Sequence, residues 1–116
     1  MRKICEDFIL ARLPVAGLAA CGAYLPDGTT LYQCFGRWLS PDQVRQATAR
    51  LGHSHETLRR HGLEPLQITW VFEHLLVCLC LRSDKAWLAL FLENRSELPL
   101  QEIESVLQEF ANLPAS

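Results

Sequence analysis

The chain predicts an α/β domain of the α+β type, a largely antiparallel five-stranded sheet covered by helices on both faces. Three observations carry that prediction. Leu66 to Glu93 divides into three consecutive strand-like runs, at Leu66–Phe72, Leu75–Arg82 and Ala86–Leu92, separated by the short polar links Glu73-His74 and Ser83-Asp84-Lys85. The second and third runs are apolar on both faces: Leu76, Cys78 and Cys80 oppose Leu75, Val77, Leu79 and Leu81, and Trp87, Ala89 and Phe91 oppose Leu88, Leu90 and Leu92. A strand of that kind needs cover on both sides. The order helix, two strands, helix, three strands, helix leaves only one connection long enough for a crossover, so the remaining neighbours pair antiparallel.

With 116 residues, 49% hydrophobic and 21% charged, the chain is sized for one folded domain spanning 1–116. A formal charge of -2 and a pI near 6.0 supply no global field for nucleic acid. Met1-Arg2-Lys3 is followed by Ile4-Cys5-Glu6-Asp7 rather than an apolar run, and the longest apolar stretches are far too short to span a bilayer. The five cysteines, Cys5, Cys21, Cys34, Cys78 and Cys80, read as reduced packing residues of a cytoplasmic protein.

Taken in order, Ile4 to Leu13 forms a first helix with Ile4, Phe8 and Ala11 on its apolar face, ended near Pro14. Val15 to Leu25 is a central strand, whose small residues Ala16, Gly17, Ala19 and Ala20 admit a helix at close range. Pro26-Asp27-Gly28 turns the chain into a peripheral strand, where Thr30, Tyr32 and Cys34 alternate with Leu31, Gln33 and Phe35. Ser40-Pro41-Asp42-Gln43 is a helix start with a capping box, and Gly62 is a natural stop after His61. Val44, Ala47, Thr48, Leu51, His55 and Leu58 make the stripe of that middle helix. In the first strand of the meander Leu66, Ile68, Trp70 and Phe72 face one way. Ile103, Val106, Leu107 and Phe110 form the apolar face of a last helix over Pro99 to Asn112, with Glu102, Glu104, Gln108 and Glu109 outward.

The edge candidates are the strand after Gly28 and the strand beginning at Leu66. An edge bearing Trp70 and Phe72 is a liability that pairing with its twin would remove. Charge is also unevenly placed. Asp42 to His61 holds four arginines against Asp42 and Glu56, a net +2, whereas Glu97 to Asn112 carries -4 without a base.

No catalytic or cofactor constellation emerges. A phosphate-binding glycine loop is missing, since Gly17 and Gly22 fall in a strand and no Lys-Ser or Lys-Thr pair follows them. His53, His55 and His61 with Glu56 do not share a helix face, and His74 with Cys78 and Cys80 lies among bulky core residues. Neither set is expected to hold a metal. Cys21 and Cys34 lack an identifiable base.

The ordered combination of Leu13-Pro14-Val15-Ala16-Gly17 before a small-residue strand, the Asp27-Gly28 hairpin, the middle helix, the aromatic meander and the final amphipathic helix resembles the roadblock/dynein light chain family over Leu10 to Leu113. The resemblance implies a profilin-like five-stranded antiparallel sheet with the middle helix on one face and both terminal helices on the other. It further implies a non-enzymatic homodimeric or heterodimeric adaptor. By the same resemblance the Leu66–Phe72 strands would pair across a two-fold axis into a ten-stranded sheet, bringing the middle helices side by side. Leu66, Ile68, Trp70, Phe72, Leu51 and His55 are then the dimer-interface candidates. Bacterial relatives commonly work with a small Ras-like GTPase, and the helix pair maps the partner surface to Arg45, Arg50, Gly52 and His53. Glu73-His74 departs from the family by lacking glycine, which implies a tighter or differently twisted hairpin. The competing readings are a ligand sensor lined by Tyr24, Tyr32, Trp87 or a cysteine, and a small cysteine- or histidine-based enzyme.

Overall fold

The computed structural model describes residues 2–62, 67–82 and 84–114, apart from the side chains of residues 52, 55, 56, 58 and 59. The elements are α1 (Arg2–Arg12), β1 (Leu18–Tyr24), β2 (Thr30–Cys34), α2 (Pro41–Arg60), β3 (Gln67–Val71), β4 (Leu75–Leu81), β5 (Trp87–Glu93) and α3 (Leu100–Ala111). One antiparallel sheet has the strand order β2-β1-β5-β4-β3, so β2 and β3 are its edges, as the sequence implied. The apolar pattern of β4 and β5 puts them inside. Leu88, Leu90 and Leu92 point to the face covered by α1 and α3, while Trp87, Ala89 and Phe91 point to the face covered by α2.

α1 starts at Arg2 and buries Cys5, Phe8 and Ile9, a helical i, i+3, i+4 stripe. Ala11, expected inward, is exposed, and Ile4 is only half-buried. β1 begins at Leu18 rather than Val15, because Ala16-Gly17 forms a turn in which Gly17 has a φ of 85°. The close helix approach also sits elsewhere than expected. A Cβ on Gly22 would lie 2.4 Å from Thr48 Oγ1, so glycine at mid-strand sets how low α2 rests on the sheet. Thr48 is itself buried and donates to the Val44 carbonyl at 2.7 Å.

The capping box forms as expected: Ser40 N–H donates to Gln43 Oε1 at 2.8 Å, and Gln43 N–H to Ser40 Oγ at 3.2 Å. Gly62, just past the end of α2, has a φ of 76°. The Glu73-His74 hairpin closes without glycine through Phe72 N–H to the Leu75 carbonyl at 2.8 Å. Asn94, one residue past β5, clamps it, its side-chain amide donating to the Phe72 carbonyl and its backbone N–H to the His74 carbonyl.

α3 is anchored by a buried arginine at the end of β4. Arg82 donates to the carbonyls of Phe110 at 2.9 Å and Leu113 at 2.7 Å, and its guanidinium lies 5.6 Å from the centre of the Phe110 ring. It adds a donor to the Phe110 carbonyl, which also accepts from Leu113 N–H, and satisfies the Leu113 carbonyl just beyond the helix. Asp84 Oδ2 stands 3.0 Å from Arg82 in ion-pair range, though without hydrogen-bond alignment.

Candidate functional site

The β3 edge and the outer side of α2 are the surfaces the sequence singled out. Hydrogen bonding from Phe72 to Leu75 sets the alternation along β3. Ile68 and Trp70, of the same parity, turn their backbone groups toward β4, opposite Leu79 and Val77. Gln67, Thr69 and Val71 therefore aim theirs at the open edge. Side chains divide the same way. Ile68 and Trp70 are half-buried on the α2 face, and Leu51 of α2 packs into that same cluster. Gln67, Thr69 and Val71 are exposed on the opposite face.

Three of the six interface candidates, Leu51, Ile68 and Trp70, thus belong to one apolar cluster beside an open edge. Phe72 lies one residue beyond β3 and is 52% exposed. Leu66 and the side chain of His55 lie outside the described residues. Of the partner-surface candidates, Arg45, Arg50 and His53 are exposed on α2, Arg45 with Asp42 at 3.3 Å. The surroundings of Gly52 lie outside the described residues.

The rest of the molecule offers little reactive chemistry. Burial pushes the Cys5 thiol up to about 11, the Cys21 thiol to about 12 and the Cys80 thiol to about 11, and it raises Cys78 as well. Thiols held in that range are protonated packing groups at neutral pH. The described residues contain no group of three His, Cys, Asp or Glu side chains placed to hold a metal ion. Trp87 is buried and stacks on Tyr24 at 5.8 Å, so two aromatics named as possible ligand contacts engage each other. Among the described residues no helix is long and apolar enough to cross a membrane.

Sequence reasoning missed Arg82 and the Gly22–Thr48 contact. The available signals were a lone charge ending an apolar strand and a glycine at its middle.

No protein-family model matches the sequence, and no curated protein is similar enough to match. Solved structures do. MglB of Myxococcus xanthus superposes with a TM-score of 0.60 at 13% identity, covering 94% of this chain and 89% of that one. The gliding protein MglB of Thermus thermophilus gives 0.61 at 13% identity, with 96% and 82% covered. A roadblock/LC7 domain from Streptomyces avermitilis gives 0.54 at 14% identity, with 94% and 92% covered. By element order, sheet order and the division of its helices between two faces, the chain has the roadblock/LC7 fold.

Proposed function

We propose that the protein is a non-enzymatic homodimeric adaptor that regulates or recruits a partner protein, a small Ras-like GTPase in the first instance. The observation that carries this reading is the open β3 edge. It presents backbone groups of Gln67, Thr69 and Val71 that have no partner strand among the described residues, has no charge or proline within the strand, and borders the half-buried Ile68–Trp70–Leu51 cluster. Such an edge invites a second strand.

Antiparallel pairing centred on Thr69 uses all the outward groups. Thr69 meets the partner's Thr69, and Gln67 meets the partner's Val71. Ile68 then lies opposite the partner's Trp70 on the α2 face, where a non-hydrogen-bonded pair brings side chains closest. The same two-fold brings the α2 helices together and gathers Arg45, Arg50 and His53 from both copies onto one surface for the GTPase. The choice of partner class comes from the roadblock resemblance, and the fold shared with the MglB structures agrees with it.

Light scattering at micromolar concentration is expected to give twice the 13.2 kDa chain mass. Thr69→Cys should cross-link the copies under mild oxidation, since paired Cα atoms at about 5.5 Å are within disulfide reach. Tagged protein should capture a small GTPase from native extract, and Arg50→Glu should abolish capture while keeping the dimer. A monomer, or a dimer from which no GTPase is recovered, would overturn the corresponding half of the proposal.

A further inference from the structure

The dimer reading leaves the opposite side of the sheet with a feature of its own. α3 lies over β4: Cys80 Sγ is 3.4 Å from the Leu107 carbonyl, and Arg82 reaches the Phe110 carbonyl. The helix therefore runs in the same direction as β4, with Leu100 at the Leu76 end. α1 lies to one side of it, since Arg12 pairs with Glu109 and the Phe8 and Phe110 rings are 6.1 Å apart. The flank of α3 carrying Glu102 and Glu109 thus faces α1. The other flank carries Leu100, Glu104 and Gln108 at i, i+4 and i+8, and it overlooks β3.

Among the described residues no helix covers β3 on this face. Gln67, Thr69 and Val71 are opposite Cys80, Cys78 and Leu76 and so share their face, yet they are exposed, Val71 by 70%. Leu100, at the Leu76 end of the sheet, is 65% exposed. Pairing two β3 strands would set the two β4 strands three strand spacings apart, about 14 Å. Close-packed helices need only about 8–10 Å. The two α3 helices would then wall a trough about 5 Å wider than helix contact, the width of one extended chain. Its floor is Gln67, Thr69 and Val71 from both copies, and each wall contributes Leu100 and Glu104. α3 carries no basic residue, and Glu104 is the one charge it presents on this flank.

We propose that this trough binds one extended segment of a partner protein, with basic side chains alternating with apolar ones. The lysine or arginine groups meet the two Glu104 carboxylates, and the apolar groups rest on Val71 and Leu100. The proposal rests on the dimer reading, and its test separates the two.

The probe is a short labelled peptide of alternating leucine and lysine, with a leucine–glutamate peptide as control, titrated into protein whose mass is followed by light scattering. The lysine peptide is expected to bind at one per two chains, and the glutamate peptide not at all. Glu104→Gln should weaken binding about tenfold or more, as loss of charge-assisted hydrogen bonds would. The exposed Val71→Ser should weaken it too, whereas Glu102→Gln on the α1 side should change it less than about twofold by the same measure. A dimer that ignores the peptide, binds one per chain, or responds equally to Glu102→Gln and Glu104→Gln would overturn the trough alone. A monomeric protein would overturn the dimer and the trough together.

Discussion

Gly22→Ala is the sharpest test of how α2 is seated. The added methyl would sit 2.4 Å from Thr48 Oγ1 and 3.2 Å from its Cγ2, against ordinary contacts beyond 3.4 Å. Rotating Thr48 does not relieve the clash. It exchanges one branch for the other and breaks the Oγ1 bond to the Val44 carbonyl. The helix must rise instead, and overpacking of this sort costs about 1–3 kcal/mol. Replacing glycine restricts the unfolded chain and returns about 0.4–1 kcal/mol. The net loss should be about 1–2 kcal/mol, a Tm lowered by about 4–8 °C for a domain of this size. Thr48→Ala alone should cost about 1 kcal/mol, for a lost methyl and a buried hydrogen bond. Combined with Gly22→Ala, it makes room for the new methyl. The double variant should therefore be more stable than the sum of the single losses predicts, by at least about 1 kcal/mol. Urea melts of the four proteins measure this. If Gly22→Ala leaves the midpoint unchanged, or the two losses simply add, the close approach does not set the height of the helix.

Three further outcomes follow from the same geometry. Thr69→Pro removes a backbone donor aimed at the open edge, so it should abolish the dimer by light scattering while leaving most of the monomer's thermal stability; Trp70→Pro, which loses a bond to β4, should lower both. Arg82→Met should cost about 2–4 kcal/mol, since it leaves Asp84 without its cation and the Leu113 carbonyl without its donor, and adding Asp84→Ala should restore part of that in chemical melts. Alkaline pH should also destabilise the fold. The Cys5, Cys21 and Cys80 thiols are raised from 9.0 to about 11, 12 and 11, so the unfolded chain loses those protons first. Stability should be intact below about pH 9 and fall as pH rises through about 11 to 12, and Cys21→Ala should flatten the fall in a pH series of urea midpoints.

What the sequence determined by itself was local. Side-chain alternation in Leu75–Leu81 and Trp87–Glu93 assigned each residue to its sheet face, because a strand's period of two and burial on both sides leave a direct imprint. Ser40, Gln43 and Gly62 marked the ends of α2 through hydrogen bonds and backbone angles that involve only near neighbours. Edge status of β2 and β3 followed from connection lengths. Features joining distant parts of the chain were decided by the tertiary structure. The inward stripe of α1 fell on Cys5 and Ile9 rather than Ile4 and Ala11, because two near-equivalent helix faces are separated only by what they pack against. Gly22 reads in sequence as a weak strand residue, and only Thr48, twenty-six positions on, gives it a purpose. Arg82 reads as a turn charge until the end of α3 supplies its carbonyls. The apolar face of α3 was legible, but which of its flanks meets α1 appears only in the Arg12–Glu109 pair and the Phe8–Phe110 contact, because periodicity within one segment carries no record of which neighbour that segment will meet.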